Sequence, residues 1–307
     1  MFTNNKTLVK KKLYVLAVSG GPDSMFLLDK MRSEGYNLVV AHVNYKKRID
    51  SDYDEKVVKN YCQKYSLPLK IYQVKSSEYA SVHNFQDRAR QIRYDFFQKL
   101  AKKYQTWYIV VAHHGDDHLE TYLLQKQRKS LVEYWGLPAA TKQGKYWILR
   151  PILSLNKQQI FRYLIKKKID YAIDTTNKSS IYQRNAVRHN LDRISLKKKR
   201  ELEKEIKEAN QELRKIRNLV KNAVEKLIIF PHILKLDDKI EYSSEVYLRL
   251  LYFWINQAVS GTTLVKKKKK LLKETYKQLF KSKKKNLIIK TNSFKIIKYN
   301  SYAIISC

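Results

Sequence analysis

The sequence predicts an α/β protein: a doubly wound parallel sheet, then a helical connector and a small, basic α+β C-terminal domain. Three observations carry this. Short, largely apolar runs recur at Leu13–Val18, Leu38–Val43, Leu69–Val74 and Trp107–Ala112, the first of them continuous, as expected of strands in a buried parallel sheet. Segments with helical apolar spacing lie between and after them, at 25–35, 52–65, 84–103 and 119–127; strand–helix alternation of this kind builds parallel sheets with right-handed crossovers. From Ser195 to Leu227, apolar residues such as Leu202, Ile206, Leu213, Ile216 and Val220 recur at three- and four-residue steps among mixed charges. That is a long amphipathic helix, and Phe230–Pro231 ends it.

The remaining elements are weaker. Residues 129–150, with Gly136, Pro138 and Gly144, read as irregular. A helix over 156–168 starts at Asn156, a good N-cap, and the polar stretch 174–190 opens as a loop. Beyond 231 the pattern gives a helix at 244–258, a lysine run at 266–270, a helix to Phe280 and strands at 286–290, 293–299 and 302–306. The expected boundaries are 1–195, 196–230 and 231–307.

Composition narrows the function classes. The 307 residues hold 63 Lys+Arg against 28 Asp+Glu, a formal charge of +35. The last 111 residues carry 28 basic and 11 acidic groups and are the more densely basic part. Such a charge attracts polyanions, nucleic acid first and an anionic membrane surface second. An apolar fraction of 44% is that of a globular chain rather than a basic tail. No apolar run reaches membrane-spanning length, and no amphipathic helix with a clean basic face supports membrane-surface binding. The N-terminus lacks a signal core, which points to the cytoplasm. Cys62 and Cys307 make neither a disulfide framework nor a four-thiolate metal site.

Two segments carry chemistry. Ser19-Gly20-Gly21-Pro22-Asp23-Ser24 lies between a strand and a helix. Its glycines let backbone N–H groups approach an anion, the helix N-terminus adds positive potential, and the hydroxyls donate hydrogen bonds. The loop is a pyrophosphate cradle, and neither a Walker A loop nor GxGxxG. Asp23 is the candidate for a Mg²⁺-linked role. His113-His114-Gly115-Asp116-Asp117-His118 follows the fourth strand, at the sheet edge where α/β proteins bind ligands. Its groups can hold Mg²⁺, orient an amine or relay protons, or cap the helix. A zinc site from His113, His114 and His118 is disfavoured, because adjacent histidines project differently and no thiolate joins them.

The SGGPDS loop resembles the signature of the PP-loop ATP pyrophosphatases. AHHGDDHLET at 112–121 resembles the corresponding block of the bacterial tRNA(Ile)-lysidine synthetases, as do Ala41–Tyr45 with Arg48, Ala89–Tyr94, Leu149–Leu153, Asp174–Asn177 and Arg184–Arg188. These blocks run in order over residues 13–190. Tyr45, His118 and the stretch 125–137 depart from the family pattern. The resemblance implies a PP-loop ATP-binding catalytic domain over 1–195 and a tRNA-binding domain over 231–307. It implies ATP adenylation of C2 of the wobble cytidine in a CAU anticodon, followed by attack of L-lysine. Ser19–Ser24 (that is, Ser19, Gly20, Gly21, Pro22, Asp23 and Ser24), His42 and Arg93 would bind ATP. Asp23, His114 and Asp117 would be catalytic, Asp116 and Asp117 would bind lysine, and Arg90, Arg184, Asn185 and Arg188 would bind tRNA. Homodimerisation is compatible with the sequence. The alternatives are another PP-loop enzyme, such as a 2-thiolation enzyme, disfavoured by the isolated cysteines, and a non-catalytic RNA-binding protein, disfavoured by the intact loop.

Overall fold

A computed structural model describes residues 8–46, 51–79, 85–129, 131–173, 183–237, 239–259 and 269–306, with the side chains of 183–185 outside that description. The predicted Arg48 and Asp174–Asn177 lie outside the described residues.

The first six strands form one sheet in the order β3-β2-β1-β4-β6-β5. They are β1 (Leu13–Ala17), β2 (Asn37–Asn44), β3 (Leu69–Gln73), β4 (Tyr108–Val110), β5 (Ala140–Gln143) and β6 (Tyr146–Leu149). Every pairing is parallel except β5 with β6. The helices are α1 (Pro22–Ser33), α2 (Ser51–Lys64), α3 (Phe85–Lys103), α4 (Gly115–Gln127), α5 (Lys157–Lys167) and α6 (Gln183–Arg193). Alternate β1 residues face opposite cores, as the two-residue strand period dictates. Tyr14 and Leu16 pack with Phe26 and Leu28 of α1, Val58 of α2 and Leu164 of α5. Val15 packs with Tyr94, Phe97 and Leu100 of α3. Helices therefore cover both faces, as the doubly wound expectation requires.

Two expectations are corrected. Residues 140–149 are a β-hairpin rather than irregular chain, turning at Gly144 with φ +58°. Helix α4 starts at Gly115, not Leu119, so both aspartates of the HGDD segment lie in its first turn.

The chain divides into two compact units: residues 1–124 with 136–199, and residues 125–135 with 200–307. The second unit is one folded body rather than a connector plus a domain. It contains most of α7 (Leu196–Leu227), α8 (Ser244–Ala258) and α9 (Lys269–Tyr276), which ends in a π-turn at Lys277–Lys281. Its antiparallel sheet runs β7-β8-β11-β10-β9. These strands are β7 (Ile228–Phe230), β8 (Ile233–Lys235), β9 (Asn286–Lys290), β10 (Lys295–Tyr299) and β11 (Tyr302–Ser306). The short pair β7–β8, unforeseen in the sequence, surrounds Pro231. Fully buried Trp254 centres a core with Leu227, Leu250, Leu272, Ile296 and Ala303, and Leu131 of the inserted segment joins it. Among the described residues no helix is long and apolar enough to cross a membrane.

One buried carboxylate ties the first unit together. Asp29 of α1 accepts hydrogen bonds from Arg32 (2.8 Å), Tyr163 of α5 (2.7 Å) and Tyr61 of α2. Burial alone would raise this carboxyl, but the three donors outweigh burial and hold it below the ordinary aspartate value. A depressed folded-state pKa adds stability that is present above the unfolded value of about 4 and is lost as pH falls through the folded one. We expect Asp29→Asn to cost about 1–3 kcal/mol at neutral pH. In denaturant titrations the gap to the parent protein should narrow below about pH 4; a gap independent of pH would refute the assignment.

Candidate active site

The carboxyl ends of β1, β2 and β4 open onto a cavity of about 850 Å³, lined by the Ser19–Ser24 loop, His42, Tyr45, Phe85, Arg90, Arg93, His113, Asp117 and Arg188 among others. The loop is held by its own hydroxyls. Ser24 Oγ accepts from the Ser19 N–H at 3.1 Å and donates to the Gly21 carbonyl at 2.9 Å, while Ser19 Oγ lies 3.2 Å from it. Gly21 is the N-cap of α1 and Pro22 begins the helix, where a missing N–H costs nothing. Gly20 has φ +93°, and a Cβ there would sit 2.8 Å from the Asp54 carbonyl oxygen. Only glycine fits that turn.

His42 is buried in β2. Its Nδ1 donates to the Val18 carbonyl at 2.9 Å, and its Nε2 is buried without a hydrogen-bond partner. Burial pulls its pKa down, which keeps Nε2 a neutral acceptor. Arg90 and Arg93 project from α3 into the same cavity, Arg90 lying 4.7 Å over the Tyr94 ring. His113, expected with the catalytic block, is pushed well below the ordinary histidine value by burial.

A second cavity of about 360 Å³ adjoins the first within the same unit and shares Asp23, Asp117 and Arg188 with it. Its wall combines Asp116 and Glu120 with Phe161, Tyr171, Ile173 and Leu191. His114 sits at the shared neck. The Asp116 N–H points at its Nδ1 at 3.2 Å, which assigns the proton to Nε2. Nε2 lies 3.6 Å from both Asp23 Oδ2 and Asp117 Oδ2. Asp117 Oδ2 also accepts the His114 N–H at 3.0 Å, an N-terminal cap for α4. Burial is the main cause of a raised Asp23 pKa, with neighbouring Asp117 adding to it and His114 opposing.

Two cations and one backbone amide answer these carboxylates. Lys199 Nζ lies 2.5 Å from Asp116 Oδ1, and the Lys157 N–H donates to Asp116 Oδ2 at 3.2 Å. Burial would raise Asp116, but these partners bring it below the ordinary value. Arg188 Nε lies 2.6 Å from buried Glu120 and its Nη2 3.7 Å from Asp117.

The structure thus gathers Ser19–Ser24, His42, Arg93 and Asp117 around the larger cavity, with His114 on the adjoining smaller one. It departs from the sequence reading at two residues. Asp116, expected to bind lysine, is already engaged by Lys199. Arg188, expected on RNA, is held by Glu120 and Asp117. The side chains of Arg184 and Asn185, expected on RNA, lie outside the description. His118 stands apart from His113 and His114, its Nδ1 accepting the Leu137 N–H at 2.8 Å. Among the described residues no three His, Cys, Asp or Glu side chains form a ready metal cage. Glu120 and Lys199 were missed. Glu120 follows Asp117 by three residues on one helix face and was findable; Lys199 is 83 residues from its partner and carried no local signal.

A glycine loop at the carboxyl edge of a parallel sheet, opening onto a nucleotide-sized cavity, defines a PP-loop nucleotide-binding domain. Residues 1–194 match the family model described as a PP-loop domain. The chain belongs to the tRNA(Ile)-lysidine synthase family. It is 36% identical to the tRNA(Ile)-lysidine synthase of Mycoplasma mycoides, over 88% of this chain and 67% of that one. Against the synthase of Ureaplasma parvum the identity is 35%, over 84% and 78%. For Mycoplasma genitalium it is 36%, over 81% and 86%. A U34-tRNA thiolase from Methanococcus maripaludis shares the fold, with a TM-score of 0.56 at 15% identity over 68% of this chain and 75% of that one.

Because Gly20 meets backbone rather than a movable side chain, Gly20→Ala should displace the loop. We expect a loss of about 1–3 kcal/mol in stability and loss of ATP binding, measured by calorimetry; an unchanged nucleotide affinity would show that the loop does not touch it.

Proposed function

We propose that this chain ligates L-lysine to C2 of the wobble cytidine in a tRNA(Ile) with a CAU anticodon, at the expense of ATP. The observation that carries the reading is the pair of unequal cavities meeting at Asp23, Asp117 and Arg188. The larger has room for a nucleotide and a flipped base and falls within the usual ligand-site range. The smaller couples a carboxylate end to an aromatic and aliphatic wall, which matches an ammonium on a tetramethylene stem.

In the first half-reaction the cytidine O2 attacks the ATP α-phosphorus and pyrophosphate leaves. The loop N–H groups, Ser19 and Ser24 hold the departing phosphates, with Arg93 beside them. His42 Nε2, an unpartnered acceptor, receives a donor of the nucleotide. Asp23 fits a Mg²⁺-linked role: its Oδ1 is buried without a hydrogen-bond partner, and Mg²⁺ takes one or two carboxylates together with substrate phosphates. Bound there, Mg²⁺ would neutralise charge on the leaving pyrophosphate. In the second half-reaction the lysine ammonium docks on Asp117 at the neck. Attack needs the neutral amine, so a proton passes to the carboxylates around His114. The ε-nitrogen then bonds to C2 and AMP leaves. Arg188, with Glu120, orients Asp117 rather than gripping RNA. The basic second unit and Arg90 meet tRNA phosphates, and the soluble, charged chain works in the cytoplasm, as a monomer or homodimer.

The test is incubation with α-labelled ATP, L-lysine and this tRNA. Lysine-dependent AMP release with a modified wobble base is expected; release indifferent to lysine would falsify the assignment. Asp117→Asn should raise KM for lysine at least about tenfold, roughly one charge-assisted contact, while ATP-dependent pyrophosphate release persists. Asp23→Ala should abolish pyrophosphate release with tRNA affinity retained. Raising salt from about 50 to 200 mM should weaken tRNA binding by several orders of magnitude and ATP binding far less; equal slopes would place both ligands on the same charges.

A further inference from the structure

The outward face of the antiparallel sheet in the second unit is unlike an ordinary solvated surface. Along β9, β10 and β11 burial alternates, so one residue set faces the Trp254 core and the other faces out. The outward set falls into three cross-strand rows. Tyr299 pairs with Tyr302 at the hairpin end, 60% and 42% exposed. Next comes an apolar row in which Ile297 stands between Ile288 and Ile304. It continues through Ile233 to Phe230, which is 57% exposed. The third row sets Lys295 directly opposite Lys290.

Two features indicate what covers this face. Residues 277–306 contain eight lysines and no aspartate or glutamate; Lys298 is turned inward onto the Leu279 and Ser282 carbonyls, and the lysines of the outward rows, Lys290 and Lys295, carry charge of one sign. Like charges directly opposite in an antiparallel pair destabilise it; Lys290 and Lys295 therefore favour an anion between them. A second copy of the chain would bring the same positive face and be repelled. Exposed aromatic rings beside a lysine row fit a ligand that joins flat apolar faces to regularly spaced negative charge.

We propose that this face is a stacking platform for unpaired nucleotides of the RNA substrate. Bases stack on Tyr299 and Tyr302 and lie along the isoleucine row, while phosphates run past Lys290 and Lys295. Stacking needs bases free of a duplex, so the face selects single-stranded RNA over a blunt helix. This rests on the reading that the second unit meets tRNA, and goes further by naming the surface, the contact chemistry and the state of the RNA.

The experiment uses the full chain and a fluorescent, unstructured oligoadenylate of about eight nucleotides, within the site size of such platforms. The parent protein should bind it more tightly than a blunt RNA duplex. Tyr299→Ala with Tyr302→Ala should weaken oligonucleotide binding at least about tenfold and leave duplex binding unchanged. The double phenylalanine variant, which keeps the rings, should restore binding. Lys290→Ser with Lys295→Ser should flatten the salt dependence by about two charges. Unchanged oligonucleotide affinity in the alanine variant overturns the proposal. So does a loss confined to anionic phosphatidylserine vesicles, which would make the face a membrane surface, or one explained by dissociation of a dimer in sedimentation. Lysine-dependent AMP release, measured on the same proteins, separates the two readings: its absence in the parent protein with stacking intact removes the ligase reading, whereas intact release with unchanged oligonucleotide binding removes only this platform.

Discussion

The arrangement depends on holding four carboxylates in a partly desolvated neck. Asp23, Asp116, Asp117 and Glu120 converge about His114 and Arg188. At an effective dielectric near 20, two unit charges about 4 Å apart repel by roughly 4 kcal/mol, so such a cluster cannot form without compensation. The chain supplies it from three separate elements: the N-terminus of α5 with Lys157, Arg188 of α6, and Lys199 in the first turn of α7. Lys199 and Arg188 each hold a carboxylate directly, and the Lys157 backbone N–H adds a donor to Asp116. Asp116 is held down by Lys199, whereas Asp23, with buried Oδ1 lacking a hydrogen-bond partner, is pushed up. The asymmetry divides the labour. Asp116 has its charge answered within the chain, whereas Asp23 keeps a buried oxygen without a hydrogen-bond partner.

This bears on what the sequence could reveal. Strands β1, β2 and β4 were legible because interior strands buried on both faces are largely apolar, whereas β3, an edge strand with no fully buried residue, was legible from its place in the strand–helix alternation. The β5–β6 hairpin was not, since β5 reads Ala-Thr-Lys-Gln at a sheet edge and half of it is exposed; only Gly144 betrayed the turn. The Ser19–Ser24 loop and the HHGDDH segment were legible because their chemistry is contiguous. Asp116 and Arg188 show the limit. A carboxylate's residue type says that it will meet a cation, but whether that cation is substrate or Lys199 is decided by tertiary contact across 83 residues. Likewise a guanidinium near a predicted RNA-binding stretch reads as a phosphate ligand until Glu120 appears beside it. Tertiary pairing, not local pattern, set these roles.

His118 and residues 125–137, where the sequence departs from the blocks it otherwise resembles, have a physical account in two parts. Gly136 has φ +73°, and a Cβ there would meet the His118 ring at 2.5 Å. His118 and the 136–137 turn are thus matched shapes joined by the Leu137 N–H, within the first unit. Residues 125–135 belong instead to the second core, where Asn210 bonds to both the backbone N–H and the carbonyl of Trp135. This stretch, whose one glycine is Gly136, is held by side chains rather than by backbone freedom.

The net charge of +35 now poses a sharper problem than it did as composition. A surface that draws in a polyanion repels the net positive lysine of the proposed reaction. The two demands are compatible only if the fields are separated in space. Screening makes that possible: at physiological ionic strength the Debye length is about 8 Å, so a lysine at the neck senses the nearby carboxylates far more than distant surface lysines. Lys199 and Arg188 are each committed to a carboxylate, and they limit the acidity of the neck without reversing it. Under the proposed reaction the acidic site is as necessary a consequence of the basic surface as it is of the chemistry: Asp117 and its neighbours, recessed in a cavity, would offset for the amine the charge that recruits RNA.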